Sequence, residues 1–336
     1  MIQLRYVGDV LVTTPALRAL KQAFPDARID FLVERGCRPV LEGNPHIDEL
    51  ITRDGKVGMI DSVRLTRRLR ARGYDVVVDY QGTPGSGLIT RATGAGIRIA
   101  RRRPARGPFY THLVHDDDHE IYMARRKIAM LEPLGVEQPA PSDHAALAPE
   151  MKVPDAARRH VDEFLERVGV GTDETLIAID PTSRRETRRW TAEGFAELAD
   201  RVASSRKARV VFLWGPGERT QVQRIIDSSR GGHLLAPPTD LFQLAALIQR
   251  CRLHVGNDSG PRHIAAACGT PTLTVIGSTN EGSWTLPGGQ HRVVFEPVHC
   301  RPCLKSTCPT QLECMNQLSA DKVARAASEF CDPSAS

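Results

Sequence analysis

Short apolar runs rich in Val, Ile and Leu alternate with amphipathic segments along most of this chain of 336 residues. In the first half "DVVVDY" follows the helical pattern "DSVRLTRRLRARG", and in the second half "TLIAID" precedes "TAEGFAELADRVASS". Uninterrupted apolar strands separated by helices are typical of parallel sheets that helices cover on both faces. The alternation therefore predicts an α/β fold.

The alternation is interrupted between Val136 and Asp155, where "VEQPAPSDHAALAPEMKVPD" has four prolines and weak periodicity. Such a segment is typical of an interdomain connection. We therefore expect two α/β/α domains, at 1–150 and 151–318, and a C-terminal helix and tail at 319–336 that packs back on the N-terminal domain. Ligands of doubly wound sheets bind beyond the carboxyl ends of the strands, so the expected site is the cleft between the two domains.

The composition narrows the class of protein. The hydrophobic fraction of 41% and the charged fraction of 25% are those of a globular protein, and there is no run of 18 apolar residues. The N-terminus lacks the layout of a signal peptide, which predicts a cytoplasmic location. Residues 1–110 hold 19 Lys and Arg against 11 Asp and Glu, an excess that favours an acidic partner.

The run "VGNDSGPRHIAAACGTPTLTVIG" places polar residues where a predicted strand passes into a predicted helix. Pro261 suits the first helical turn, and Asp258 and Ser259 stand where side chains cap free backbone N–H groups. Gly260 leaves room for close approach of a ligand. Such a helix N-terminus suits an anion such as a diphosphate. On residue types alone, a plain helix cap with a core histidine at His263 is the alternative interpretation.

Charged residues follow other predicted strands. Asp9, in "YVGDVLVTTP", is either a helix cap or a carboxylate that points into the cleft. Arg188, in "DPTSRRETRRW", belongs either to a phosphate site or to a solvated basic loop. Glu218 follows the Gly-Pro-Gly turn of "VVFLWGPGERTQV", which does not match the GxGxxG fingerprint of dinucleotide-binding folds. As an isolated feature, Glu218 is an acidic residue in the first turn of a helix.

Basic residues cluster in the first domain. Three of them share one face of a predicted helix, and four follow the strand "IRIA": Arg64, Arg67 and Arg68, then Arg101, Arg102, Arg103 and Arg106. They form either a solvated face or a docking surface for a phosphorylated lipid acceptor at an anionic membrane.

Four cysteines lie within fifteen residues, at Cys300, Cys303, Cys308 and Cys314. Four thiols this close could hold a zinc ion or an iron–sulfur centre, although the spacing is not that of a standard zinc ribbon. The alternative is reduced or paired thiols. We therefore keep a structural metal at this cluster as one possibility.

Four motifs together carry a family resemblance. "NDSGPRHIAAACGTPTLTVIG" resembles "NDTGPMHLAAALGTPVVALFG" of glycosyltransferase family 9, which contains the lipopolysaccharide heptosyltransferases. "GDVLVTTPALRALK", "DYQGTPGSGLITRATGAGIRIA" and "DPTSRRETRRWTAEGFAELA" are similar to the motifs that this family has in the same order. The resemblance runs from about Ile2 to Val323. It implies a glycosyltransferase B type fold, in which two Rossmann-like α/β/α domains face a central cleft.

The resemblance also implies an activity. The expected reaction is inverting, needs no cofactor, and transfers a heptose or related sugar from an ADP-sugar to a lipopolysaccharide core or similar saccharide acceptor. The expected setting is peripheral, at the inner face of the cytoplasmic membrane. A nucleotide-sugar epimerase on the same fold, or a transferase with another donor or acceptor, is the alternative. A nucleic-acid-binding module ranks last, since only 5% of the residues are aromatic and no RRM, KH or finger signature occurs.

Residue roles follow from the resemblance. Asp9 is the implied general base, and burial would have to raise its pKa for that role. Glu218 is implied to contact the ribose of the donor, and Arg188 stands where the family usually has a lysine that binds the donor phosphates. Arginine still binds phosphate, whereas proton donation to the leaving group is not expected of it. The implied donor-binding residues are Thr182, Ser183, Arg188, Glu218, Asp258, Ser259, Gly260 and His263. The implied acceptor-binding residues are Thr13, Thr14, Gln81, Arg64, Arg67, Arg68 and Arg102.

Overall fold

The structure, a computed structural model, describes residues 1–55, 58–102, 107–116, 118, 120–206 and 208–331. It divides into two units, the first from Met1 to Lys152 and the second from Val153 onward. Arg103 and Arg106, two of the basic residues named above, lie outside the described residues.

A parallel sheet forms the centre of the first unit. Its strands are β1 (Asp30–Glu34), β2 (Glu49–Arg53), β3 (Val76–Asp79), β4 (Ile97–Arg101) and β5 (His112–Val114). β1 pairs with β2, and β4 lies between β3 and β5. Ile2 bridges to Leu32 of β1 and to Asp79 of β3, so the N-terminal segment joins the two groups of strands. The pattern "IQLRYV" predicts a full strand there, and the structure reduces it to this bridge.

Helices of the first unit begin at recognisable signals. They are α1 (Val7–Leu11), α2 (Thr14–Ala23), α3 (Met59–Arg70), α4 (Pro84–Ala92) and α5 (Met123–Ala129). At the start of α4, Pro84 follows Thr83, whose hydroxyl accepts the Ser86 N–H at 3.2 Å. A core of buried apolar residues then holds helices and sheet together. It includes Ile2, Leu4, Leu32, Ile51, Leu69, Val77, Ile89 and Ala95.

The second unit has a parallel sheet with the strand order of a Rossmann fold. Its strands are β6 (Leu176–Asp180), β7 (Arg209–Phe212), β8 (Leu234–Leu235), β9 (Leu253–Asn257), β10 (Thr272–Val275) and β11 (His291–Val294). They lie in the order β8-β7-β6-β9-β10-β11. The chain thus leaves β6 in one direction and returns beside it at β9, which makes the carboxyl ends of β6 and β9 the topological switch point.

Helices of the second unit include those predicted from the amphipathic segments and three more. They are α6 (Asp155–Arg167), α7 (Ala192–Arg206), α8 (Arg219–Asp227), α9 (Leu241–Gln249), α10 (Gly260–Ala267), α11 (Glu281–Trp284), α12 (Glu313–Asn316) and α13 (Ala320–Cys331). α9 begins with a capping box, in which Asp240 accepts the Gln243 N–H at 2.8 Å and the Gln243 side chain accepts the Asp240 N–H at 3.0 Å.

The C-terminal helix belongs to the second unit. α13 packs against α7 and buries Val323 and Ala327 in the same core as Trp190 and Phe195. Its apolar face thus completes the core of its own unit, and packing back on the N-terminal domain stays a prediction. Within the described ranges, no helix is long and apolar enough to cross a membrane.

Candidate functional site

A candidate anion site lies at the switch point of the second unit. Asp180, the last residue of β6, pairs in register with Gly256 of β9. A Cβ added to Gly256 would lie 2.8 Å from the Asp180 carbonyl oxygen and 2.9 Å from its Cβ, so a glycine is required there. β9 ends at Asn257, and α10 begins at Gly260 after the N-cap residue Ser259. The positive end of the α10 dipole therefore lies at the switch point, an arrangement that binds anions.

Asp258 is a buried carboxylate at the start of α10. It accepts hydrogen bonds from Arg262 at 2.9 Å and Thr279 at 2.7 Å, and Arg188 forms an ion pair with it at 3.1 Å. Burial alone would raise the pKa of Asp258, but the charges of Arg262 and Arg188 outweigh burial and lower it. The sequence predicts that Asp258 stands at the helix cap and orients the donor. In the structure its carboxylate is buried and bound to two arginines, and a role in orienting the donor stays a prediction.

Two contacts hold Arg188 in place, one at its own side chain and one two residues further along the loop. Asp258 binds its guanidinium, and two residues later Trp190 is buried and donates its backbone N–H to the Asn257 side chain at 2.9 Å. The Arg188 side chain is 24% exposed, and its Nε is buried without a hydrogen-bond partner in the part of the chain that the structure describes. A guanidinium with a fixed position and an unused N–H suits a phosphate.

The Thr182 hydroxyl lies between two carboxyl groups, 3.2 Å from Asp180 Oδ1 and 2.8 Å from Glu218 Oε2. Burial raises the pKa of Asp180 to about 6, and the negative charge of Glu218 contributes to the increase. Ser259 was expected to cap α10, but its hydroxyl donates to Asp180 Oδ2 and makes no capping bond. Asp180 could not be predicted from the sequence, because it ends an apolar strand and no local pattern distinguishes it.

Three further predicted donor residues differ in exposure. Ser183 is half-buried, and its carbonyl oxygen accepts a hydrogen bond from Arg189 at 3.0 Å. At Gly260 an added Cβ would meet no described atom within 4 Å, so space remains open there. His263 is buried and packs edge-on against Trp284, with ring centroids 5.6 Å apart. This is the position of the core histidine considered as the alternative.

Asp9 belongs to a polar cluster in the first unit. Its half-buried carboxylate accepts the Tyr6 N–H at 3.3 Å, which is a contact of a helix cap. Beneath it the buried Lys127 donates to the Asp9 carbonyl at 2.7 Å, to the Thr13 hydroxyl at 2.6 Å and to Gln3 Oε1 at 2.8 Å. Burial lowers the pKa of Lys127 to about 8, although the charge of Asp9 opposes this. The sequence analysis missed Lys127, which is 118 residues away from Asp9.

Three residues expected to bind the acceptor instead hold this loop. Thr13 and Thr14 are fully buried, and both donate to main-chain oxygens of the loop at 2.8 Å. Gln81 accepts the backbone N–H groups of Leu4 and Arg5 through its side-chain oxygen, each at 3.0 Å. Both hydroxyls are thus buried and bonded within the loop, and their contact with the acceptor stays a prediction.

Basic residues predicted to contact the acceptor lie on the surface of the first unit. The Arg64 side chain on α3 is 77% exposed, and Arg67 on the same helix is also exposed. Arg68 pairs with Glu49 at 2.7 Å, and Arg102 is exposed just after β4. These arginines are exposed, but Arg64 also pairs with Asp61 at 3.6 Å and Arg102 contacts His115 at 2.6 Å, so their contact with an acceptor stays a prediction.

The four clustered cysteines are free thiols. Cys314 is buried, whereas Cys300, Cys303 and Cys308 are half-buried. Burial raises the pKa of the Cys314 thiol, and the neighbouring thiols contribute. Among the described residues, no group of three or more His, Cys, Asp and Glu side chains is placed to hold a metal ion. The metal site considered from the sequence is therefore not assembled.

Known proteins resemble the whole chain. The family model of glycosyltransferase family 9 (heptosyltransferase) matches residues 62–313, more than half of the chain. Lipopolysaccharide heptosyltransferase 3 of Escherichia coli strain K12 is 30% identical over 296 residues, which cover 84% of this chain and 83% of that protein.

Solved structures show the same fold. A glycosyl transferase family 9 protein from Veillonella parvula DSM 2008 has a TM-score of 0.86 and 26% identity, and the match covers 98% of this chain and 96% of that one. Escherichia coli heptosyltransferase WaaC with ADP-2-deoxy-2-fluoro heptose has a TM-score of 0.72 and 22% identity, with 98% of both chains covered. This chain therefore belongs to glycosyltransferase family 9 (heptosyltransferase) and has the α/β, glycosyltransferase B type fold of that family.

Proposed function

We propose that this glycosyltransferase transfers a heptose or related sugar, with inversion, from an ADP-sugar to a lipopolysaccharide core or similar saccharide acceptor. The name of the Escherichia coli relative supports heptose as the sugar and lipopolysaccharide as the acceptor. The WaaC structure with an ADP-heptose analogue supports an ADP-sugar as donor. Family membership favours a transferase over the epimerase and the nucleic-acid-binding module considered above.

One observation in this chain carries the proposal, namely the ion pair of Arg188 with Asp258 at the start of α10. The donor diphosphate binds at this helix N-terminus, and Arg188 offsets its charge. Glu218 binds the ribose hydroxyls, since a carboxylate accepts hydrogen bonds from both. When the sugar leaves, the same groups stabilise the charge that develops on the diphosphate.

Asp9 acts as the general base in this proposal and takes the proton from the acceptor hydroxyl. The half-buried carboxylate and the buried Lys127 beneath its loop support this role. Lys127 fixes the loop through the Asp9 carbonyl and leaves the carboxylate to the substrate.

Contact with an anionic membrane is a further part of the proposal. On α3, Ile60 is 70% exposed and Val63 is 42% exposed, and Arg64 and Arg67 are exposed on the same helix. Exposed apolar residues flanked by arginines are typical of helices that lie on membrane surfaces. The protein should cosediment with vesicles of phosphatidylcholine that contain 25% phosphatidylglycerol, which is roughly the charge density of such surfaces. Binding to pure phosphatidylcholine of equal strength would contradict the role of the arginines.

A nucleotide screen tests the donor assignment. A ligand at about 100 times its Kd stabilises a protein by about 2.7 kcal/mol, which raises Tm by a few degrees. We expect ADP to raise Tm and UDP, GDP and CMP to leave it unchanged. A shift with UDP or GDP alone would overturn the ADP-sugar donor.

A matched pair of variants tests the phosphate site. Arg188→Ala should weaken ADP binding roughly tenfold to a hundredfold, because a hydrogen bond between charged groups contributes about 1.5–3 kcal/mol. Arg189→Ala removes a neighbouring arginine that binds the Ser183 carbonyl, and should leave the affinity for ADP unchanged. Equal affinity of the two variants would place the diphosphate elsewhere.

A further inference from the structure

The hydroxyl of Thr182 cannot donate to both of the carboxyl groups that it contacts. It lies 3.2 Å from Asp180 Oδ1 and 2.8 Å from Glu218 Oε2, and a hydroxyl has one proton to donate. An ionised carboxylate only accepts hydrogen bonds. Both contacts are therefore hydrogen bonds only if one of the two carboxyl groups carries a proton and donates it to the Thr182 oxygen.

Burial indicates which group holds this proton. Asp180 is 3% exposed and packs against Gly256, whereas Glu218 is half-buried and accepts the Gly215 N–H at 2.8 Å. Water and this N–H stabilise negative charge on Glu218, while burial disfavours negative charge on Asp180 and raises its pKa to about 6. The resulting chain runs from the Asp180 carboxyl through the Thr182 hydroxyl to the Glu218 carboxylate.

Among the described residues, the other charged or titratable groups around Asp180 give it no ion pair of its own. On β9, His254 lies two residues before Gly256 and is neutral, because burial lowers its pKa to about 3. At the start of α10, Arg188 and Arg262 both form ion pairs with Asp258, and the positive charge that remains on the two guanidinium groups faces the proposed donor diphosphate. The nearby charge that acts on Asp180 is therefore that of Glu218, which has the same sign as an anionic donor.

We propose that Asp180 is a positioning residue whose protonated form is the one that binds the nucleotide diphosphate sugar. This rests on the proposed function, which places the diphosphate at the start of α10. An ionised Asp180 would add a buried negative charge beside the half-buried Glu218 carboxylate, at the end of the strand where the diphosphate binds, and like charges repel strongly where water is excluded. A neutral Asp180 still accepts the Ser259 hydroxyl, which keeps that side chain away from the helix N-terminus.

This inference predicts that donor binding takes up a proton. Below the pKa of Asp180 the group is already protonated, and donor affinity is constant. As pH rises above this pKa, affinity falls by up to tenfold for each pH unit, because every bound donor must then bring one proton with it.

Isothermal titration calorimetry with ADP-heptose from pH 5 to 8 tests the inference. Both phosphates of this donor are esterified, so the ligand itself does not ionise in this range. The wild type should lose affinity with rising pH, and Asp180→Asn, which is neutral throughout, should bind with an affinity that does not change with pH. Asp227→Asn removes an exposed carboxylate of the same unit and should behave like the wild type. Steady-state kinetics of the wild type should show the pH effect in KM for the donor, and Asp180→Asn should lack this pH dependence of KM.

Several outcomes would overturn the inference. Titrations of the wild type at pH 7.5 in buffers of different ionisation enthalpy should show uptake of nearly one proton, and uptake of none would overturn it without any variant. A pH dependence that persists in Asp180→Asn and disappears in Glu218→Gln would place the proton on Glu218 instead. If the wild type binds ADP-heptose equally well at every pH, the inference fails alone, whereas no binding at any pH overturns the proposed donor and the inference with it.

Discussion

Each unit has a polar cluster with a buried charged group, and the surroundings shift the pKa of these two groups differently. In the first unit they favour the neutral form, and in the second they favour the charged form. In the first unit Lys127 binds neutral oxygens of Gln3, Asp9 and Thr13, and burial lowers its pKa to about 8. In the second unit Asp258 binds two arginines and stays charged. A buried group keeps its charge where opposite charges compensate the lost water, and moves toward neutrality where its partners are neutral.

Asp180 follows the rule of Lys127 and not that of Asp258. Its hydrogen-bond partners are neutral, namely the hydroxyls of Thr182 and Ser259 and the backbone N–H of Thr182, and burial raises its pKa to about 6. The distinction separates residues that fix geometry from residues that can exchange a proton. Asp258 fixes Arg188, whereas Lys127 and Asp180 respond to pH.

The largest effect is expected at Asp9, because it is the proposed reactive group of the first cluster. Asp9→Asn should lower kcat by about 10²–10⁴-fold, as loss of a general base does. Donor affinity should stay close to that of the wild type, since the proposed donor site belongs to the second unit. Steady-state kinetics with titration of ADP measures both, and Asp26→Asn, an exposed acid of the same unit, is the control. Parallel losses of donor affinity and kcat would contradict the role of base.

The next effect is expected at the compensated pair. Asp258→Asn should lower the free energy of unfolding of the second unit by about 3–5 kcal/mol, because it leaves the buried Arg262 without its anionic partner. The three tryptophans, Trp190, Trp214 and Trp284, all lie in this unit, so their fluorescence in urea reports its unfolding. Asp321→Asn removes a half-exposed partner of Arg201 and Arg325 and should cost less than about 1 kcal/mol. Equal costs for both variants would remove the distinction between buried and surface pairs.

Lys127 is the buried charged group whose described hydrogen-bond partners are neutral, and its contribution to the free energy of unfolding should depend on pH. The expected change is smaller than that at Asp258. Its pKa is about 8 in the folded protein and 10.5 ordinarily, so between these values the unfolded chain binds more protons than the folded one. Stability relative to Lys127→Met should therefore rise by about 3 kcal/mol as pH rises from 7.5 to 10.5. Urea unfolding followed by circular dichroism measures the difference. A difference that is independent of pH would mean that Lys127 keeps its charge as Asp258 does.

Most elements of the fold could be predicted, because they depend on local periodicity. The patterns "TLIAID" and "RLHVGND" become β6 and β9, and "GPRHIAAAC" becomes α10 with Pro261 in its first turn. "IQLRYV" is the exception. It yields the Ile2 bridge, since pairing there depends on β1 and β3, which lie far along the chain.

The site could be predicted in part, because strand ends can be located from sequence. Arg188, Glu218 and Asp258 were found that way. Their partners could not be found, since no local signal connects Arg188 with Asp258 or Lys127 with Thr13, which lie 114 residues apart. Burial was equally hidden, so Thr13 and Thr14 looked like ligand contacts although both are enclosed in their loop.

The smallest effect concerns Asp180, whose response to pH should be the mirror image of that of Lys127. Its pKa of about 6 in the folded protein exceeds the ordinary 3.8, so between these values the folded protein binds more protons than the unfolded chain. The difference in free energy of unfolding between the wild type and Asp180→Asn therefore favours the wild type most below pH 4. This advantage is lost as pH rises to about 7, a change of about 3 kcal/mol at most. Tryptophan fluorescence in urea at pH 5 and 7 should detect about 1.3 kcal/mol of this change, with Asp227→Asn as the matched control. If the difference instead grew in favour of the wild type with rising pH, Asp180 would be a compensated carboxylate like Asp258, and the contrast between the two buried acids would not hold.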